Sequence, residues 1–329
     1  MPAGWVMMRT RHGSPWRRAV RFCFSGPSGR MSPTSRRTNK EKEMSVRKIL
    51  VPLSGTSSDG EVLATALSVT RDFGAQLVGL FSRPDPADAL PYLGDGVSGQ
   101  VIEDLLTAAK QGADQAAAKA LAGLKEAADK VGLPVVDKGD FTLPSARFLD
   151  VTGRRDEVVA RLSRLADLII FGDTDEFGGA GGTALEAAMM SGGRPVLIAP
   201  RKSWAPVGGS VAIGWDRSVE AAHAVTGALP FLAKAKSVTI ICVGEDDHEP
   251  VSGELLSDYL KLHGVEVEIK KIDRKDRAVG EVLLTEAETS KVDLLVMGGY
   301  GHSRLREFFM GGATQHIRAH ATLPVLMAH

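Results

Sequence analysis

A chain of 329 residues with 43% apolar and 24% charged residues has the makeup of a soluble globular protein long enough for two domains. Its formal charge is zero, but residues 1–43 hold ten Lys+Arg against two Asp+Glu, which leaves thirty against thirty-eight in the rest. An acidic body of that kind argues against nucleic acid as the main partner; the two cysteines, Cys23 and Cys242, make neither a disulfide framework nor a metal-type cluster and suit a reducing compartment, and no apolar run approaches the roughly 18 residues a membrane helix needs.

Residues 1–43 mix Gly, Pro, Ser and Arg without periodicity and read as a disordered basic tail. The absence of acids before Glu41 is also the composition of a transit peptide. The competing reading is a start assigned too far upstream, with Met44 opening the working chain at "MSVRKILVPL". From there, apolar runs at 49–53, 76–81, 134–138, 167–171 and 195–199 predict five strands. After the second run the chain is Pro-rich, and then "GQVIEDLLTAAKQGADQAAAKALAGLKEAADKVG" predicts one long helix. Residues 201–208, with Lys202 and Pro206, read as a linker. Beyond it, runs at 210–215, 237–243, 265–269, 293–297 and 324–328 predict strands that alternate with helices at 218–233, 251–263, 278–290 and 312–321. Strands alternating with helices mean βαβ units and an open parallel sheet.

The two sets of runs are alike. "RKILVPLSGTSSDGEVLATAL" and "GSVAIGWDRSVEAAHAV" each give a strand, small polar residues and an Ala-rich helix. "ADLIIFGDTDEFGGAGGTALEAAMMSGGRPVLIAP" and "VDLLVMGGYGHSRLREFFMGGATQHIRAHATLPVLMAH" each give a strand, a Gly-rich loop, a helix and a Pro-Val-Leu strand. The period is too long for a solenoid, so the chain is a duplicated α/β domain, with copies at 44–200 and 209–329. Each copy ends in an apolar edge strand that needs a partner. Val196–Ala199 and Val325–Ala328 are expected to pair within the chain as a pseudo-dimer, with a further homodimer open.

The run "MGGYGHSRLREFFMGGAT", residues 297–314, leaves the fourth strand of the second copy. In open α/β sheets ligands sit beyond the carboxyl ends of the strands, where strand order reverses. Gly298 and Gly301 permit positive φ and close backbone approach. Gly311 and Gly312 open the next helix, where free N–H groups and the helix dipole favour an anion, and Thr314 adds a hydroxyl. No Gly-Lys-Ser/Thr or G-x-G-x-x-G pattern is present. On spacing alone two readings stand: a phosphate cradle, and glycines that serve turns and packing.

Gly298, Gly301 and Gly311 meet the spacing G-x2-G-x9-G, flanked by "VDLLVMG" and "LPVLMAH". This resembles the nucleotide-binding signature of universal stress proteins, and residues 44–329 resemble a tandem member of that family. The resemblance implies two tandem open parallel five-stranded sheets, order 3-2-1-4-5, Rossmann-like and of HUP type, with helices on both faces. It implies ATP, alone or with Mg2+, in the second copy only. Asp216 would contact the adenosine moiety, with Gly214 and Trp215 lining it. Val243 would meet the adenine. Met297, Gly298 and Gly301 would flank the ribose and first phosphate, and Gly311, Gly312, Ala313 and Thr314 would cradle the remaining phosphates.

This sequence departs from that pattern in two places. Gly312 stands where the family has Ser or Thr, which removes a hydrogen bond worth about 1.5–3 kcal/mol to a charged group. Arg217 stands where a glycine is usual; it either pairs with phosphate or points to solvent. The first copy departs further: Ser54 takes the place of Asp216, the glycine spacing is absent, and Asp173, Asp175 and Glu176 would repel a polyanion. That copy is expected to be structural and to bind no ATP.

Other candidates are weaker. His316 and His320 have a zinc-compatible spacing, but no carboxylate completes the set in the H-E-x-x-H manner, and His302 lies in the glycine run. Glu245, Asp246, Asp247 and His248 read as a solvated loop. Ser54, Ser57 and Ser58 lie near Asp59 without a matching His, and "LLTEAETSKVD" reads as an amphipathic helix face and nothing more. The resemblance implies a cytoplasmic sensor or interaction module of the stress response, and the lack of a nucleophile–base pair argues against a fast enzyme. The alternatives are a scaffold that binds no nucleotide and a slow ATP hydrolase.

Overall fold

A computed structural model of the chain describes residues 45–85, 98–172, 184–202, 206–244, 251–299 and 312–329. The tail reading of residues 1–43 falls outside them. The first copy runs β1 (Lys48–Leu53), α1 (Asp59–Phe73), β2 (Gln76–Arg83), α2 (Gly99–Lys130), β3 (Ser145–Thr152), α3 (Arg155–Ser163), β4 (Leu168–Gly172), α4 (Ala184–Gly192) and β5 (Val196–Ala199). The second runs β6 (Ser210–Gly214), α5 (Val219–Leu232), β7 (Ser237–Val243), α6 (Gly253–Leu262), β8 (Glu268–Ile272), α7 (Val279–Thr289), β9 (Leu294–Gly298), α8 (Gly312–His320) and β10 (Val325–Ala328).

The strands lie in the order β3-β2-β1-β4-β5-β10-β9-β6-β7-β8. Each copy therefore keeps the order 3-2-1-4-5, and within each copy all pairing is parallel. The two expected sheets are in fact one. β5 and β10 pair antiparallel, with Val325 opposite Ile198, Leu326 opposite Leu197 and Met327 opposite Val196. The pseudo-dimer pairing expected of the two Pro-Val-Leu strands is present.

Side chains of the central strands alternate between the two faces of this sheet, as a period of two requires. Leu294 and Val296 face one layer, while Leu295 and Met297 face the other. The first layer packs against α1, α2, α5 and α6, and the second against α3, α4, α7 and α8. Each copy thus contributes two helices to each face. Across the junction, the rings of Phe73 and Phe231 meet edge-on at 4.8 Å, and Lys234 Nζ lies 4.4 Å over the Phe73 ring. The same ammonium donates to the Asp72 carbonyl at the end of α1, a favourable place for a cation.

Two strands sit elsewhere than the apolar runs suggested. The run at 134–138 is not the third strand; it contributes an isolated bridge between Val135 and Ala146, on the outer side of β3. The real strand, "SARFLDVT", lies eleven residues later and pairs along its whole length with β2. It is half-exposed and does not alternate cleanly, so the Val135–Val136 pair is the stronger apolar signal. β8 begins at Glu268 rather than at 265. Val265 is buried, but its N–H is donated to Leu260 O and closes the end of α6.

A duplicated aspartate ties the middle of each copy. Asp167, just before β4, accepts the amides of Arg47 and Lys48 at 2.9 Å each. Asp293, just before β9, accepts those of Gly208, Gly209 and Ser210 at 2.8, 3.1 and 3.1 Å. Each carboxylate satisfies main-chain donors at the entry to the first strand, where the neighbouring ladder has not yet begun. Asp293→Ala is expected to lower stability by about 1.5–3 kcal/mol, read as a lower urea midpoint at unchanged slope.

At the β8 edge, Lys270 Nζ donates to Glu286 Oε1 at 2.7 Å and to Ser290 Oγ at 3.0 Å. The hydrogen bond holds the Glu286 carboxyl below its ordinary 4.5 and raises the Lys270 ammonium above its ordinary 10.5. A depressed carboxylate contributes stability that is present above its unfolded value and lost as pH falls through the folded one. A raised ammonium contributes stability that is lost as pH climbs through its folded value. The pair therefore stabilises between those limits. Glu286→Gln is expected to lower the urea midpoint near neutral pH and to leave it nearly unchanged in acid well below 4.5.

Candidate functional site

Strand order in the second copy reverses between β6 and β9, and a cavity of about 450 Å3 opens there at their carboxyl ends. That volume lies within the ordinary range for small-molecule sites. Gly214, Trp215 and Asp216 enter it from β6; Ile241 and Val243 from β7; Met297 and Gly298 from β9; Ala313 and Thr314 from the first turn of α8. Ser218 enters from the N-cap of α5, and Ala278, Val279 and Leu283 from the start of α7.

The walls are mostly apolar, and the polar side chains among the described lining residues are few. Asp216 is exposed and accepts the Ser218 amide at 3.0 Å and its hydroxyl at 2.6 Å. Ser218 Oγ in turn accepts the Ala221 amide at 3.0 Å, capping α5. The Asp216 carboxylate is therefore held at the rim by the cap of the helix that follows it. Trp215 is buried, its indole N–H donated to Val251 O at 3.0 Å. Thr314 is 4% exposed and sits where the dipole of α8 is positive.

Of the residues the sequence pointed to, Gly214, Trp215, Asp216, Val243, Met297, Gly298, Ala313 and Thr314 meet at this one cavity. Gly312 is the first residue of α8. Gly301 and Gly311 fall outside the described residues, as do His302, Glu245 to His248, and Asp173, Asp175 and Glu176. Positive φ at Gly298 is not found: it closes β9 in extended conformation. Its need for glycine is steric, since a Cβ there would lie 2.7 Å from the Ala221 amide at the start of α5. Arg217 does have a left-handed backbone, φ 67°, the conformation that glycine adopts without strain, and its side chain is half-buried rather than directed to solvent.

Ile241, Ser218, Ala278, Val279 and Leu283 were missed. Ser218 carries a readable signal, a Ser before an Ala-rich helix. The face of α7 read only as amphipathic supplies Leu283 to the cavity. His316 and His320 stack at 4.3 Å, and among the described residues no group of three or more His, Cys, Asp or Glu is placed to hold a metal.

The corresponding turn of the first copy is filled from within. Asp59, 7% exposed, accepts the Ser54 amide and hydroxyl at 2.9 Å each and the Gly55 amide at 2.7 Å. Gly55, at φ 77°, lies against the main chain of Ala116 in α2. Arg83 then fastens α2 to the sheet, pairing with Asp114 and, at 2.7 Å, with Asp150. The serines near Asp59 are thus members of a closed turn.

Comparison with known proteins agrees with this architecture. The universal stress protein family profile matches residues 209–329. A universal stress protein of Methanocaldococcus jannaschii is 32% identical over 130 residues, spanning 35% of this chain and 76% of that protein. The chain belongs to the universal stress protein family. The crystal structure of a universal stress protein from Archaeoglobus fulgidus is 16% identical and has the same fold, with a TM-score of 0.61 over 85% of this chain and 97% of that one. Another solved universal stress protein, in complex with cAMP, is 17% identical, with a TM-score of 0.28 over 48% of this chain and 99% of that one. Among the described residues of this universal stress protein, no helix is long and apolar enough to cross a membrane.

The contact at the end of β9 is testable on stability alone. Gly298→Ala is expected to lose about 1–3 kcal/mol, because the α5 backbone cannot retreat as a flexible side chain would. Urea denaturation would measure it.

Proposed function

We propose that this universal stress protein binds an adenine nucleotide, ATP or a close relative, in the cavity at the ends of β6 and β9. The observation that carries this reading is convergence. Eight residues named from the glycine run and the family resemblance line one cavity at the strand-order reversal, the position where open α/β sheets take ligands. Ile241, Val243, Leu283 and Met297 offer an apolar slot for a base, and Asp216 a carboxylate for sugar or base donors. Helix α8 presents its N-terminal amides toward the phosphates. Mg2+ would accompany the phosphates.

In this reading the first copy takes no nucleotide, because Ser54 stands where Asp216 would face the sugar and Asp59 folds back into the turn after β1. The protein acts in the cytoplasm as a nucleotide-dependent sensor or interaction module. A second reading, a stress scaffold without nucleotide, is favoured by one observation: the described lining carries Asp216 and no lysine or arginine.

Isothermal titration with ATP separates the two. The wild type is expected to bind one equivalent per chain, and Asp216→Ala to bind roughly 10–100-fold more weakly, the cost of losing hydrogen bonds to a charged group. No heat from the wild type, or equal affinity in the two proteins, overturns the nucleotide reading. Two equivalents per chain overturns the assignment of a single site.

A further inference from the structure

The first copy has a filled turn of its own, yet it touches the chain that leaves the cavity of the second. Gly299 is the first residue beyond β9 and follows Gly298, which lines the cavity. Its amide is donated to Ala328 O at 2.9 Å, and its carbonyl faces His329 Nδ1 at 3.4 Å. A Cβ built at Gly299 would lie 2.5 Å from Cε of Met189 and 3.4 Å from Cβ of Met327. Met189 belongs to α4 of the first copy and is 2% exposed. One residue earlier, Gly298 is pressed against the Ala221 amide on α5. The chain leaving β9 is therefore clamped between a helix of its own copy and a methionine of the other.

We infer that Met189 is a positioning residue for the ligand site: the first copy is retained as a wall that fixes the exit of β9. The inference rests on the nucleotide reading above. Met189 lies in the same apolar cluster as Leu283 and Met297, both of which line the cavity, so the packing runs unbroken from α4 to the site. A methionine suits such a place, since its unbranched thioether fills an irregular gap against bare backbone. Its neighbour Met190 is 54% exposed and serves as a control on the same helix. A binding site held this way loses little ordering freedom when the ligand arrives, which is where fixed walls gain affinity.

The experiment uses the full chain with Met189→Ala, Met189→Leu and Met190→Ala. ATP affinity is read by calorimetry, global stability by urea midpoint, and local opening by hydrogen exchange of the Gly299 amide. Met189→Ala is expected to weaken ATP roughly 3–10-fold, the equivalent of reordering one or two freed groups, and to speed Gly299 exchange beyond what the change in midpoint explains. Met189→Leu is expected to restore both, and Met190→Ala to leave both at wild-type values. A lowered midpoint with unchanged affinity and unchanged local exchange would make Met189 ordinary core and overturn the inference. Should the wild type bind no ATP, the nucleotide reading fails, and Gly299 exchange in Met189→Ala still decides whether the first copy holds the exit of β9.

Discussion

The antiparallel pairing of β5 with β10 is the constraint on which the molecule depends. Each copy alone would end in a short apolar edge strand, with unpaired amides and carbonyls beside buried side chains. Pairing the two removes both edges at once and continues two hydrophobic layers from one copy into the other. It also dictates what meets at the junction. Phe73 finds Phe231, Pro195 packs on Gly227, and Met189 finds Gly299. None of these contacts exists within a single copy.

The copies share a scaffold and differ in what fills the turn after the first strand. In the second copy Asp216 is held by Ser218 at the rim of an open cavity. In the first, an acid five residues beyond Ser54 folds back, and its carboxylate takes the amides of Ser54 and Gly55. The two carboxylates take different backbone groups: Asp216 takes the amide two residues beyond itself, and Asp59 reaches back to the amides directly after β1. The long α2 completes the closure, fastened through Arg83 to Asp114 and Asp150.

Most of this was legible in the sequence where a strong period or a special residue type spoke for itself. The central strands are buried on both faces and appear as unbroken apolar runs, so β1, β4, β6, β7, β9 and β10 fall within a residue or two of their expected places. The long α2 was readable because its 32 residues contain no proline. The outermost strands were harder. β3 and β8 are half-exposed, their apolar content is diluted by charge, and nearby loop residues, the half-buried Val135 and the buried Val265, compete for the assignment. At the site, residues from the glycine run and the first strand were nameable in advance. Leu283, Val279 and Ile241 were not, because their place at the cavity is a property of how α7 and β7 pack and leaves no local mark.

Within each copy the strands all point one way, and the junction turns the second copy head to tail against the first. The cavity at the ends of β6 and β9 and the filled turn after β1 consequently lie at opposite edges of the sheet. Anything that covered the edge bearing the filled turn would therefore leave the mouth of the cavity open.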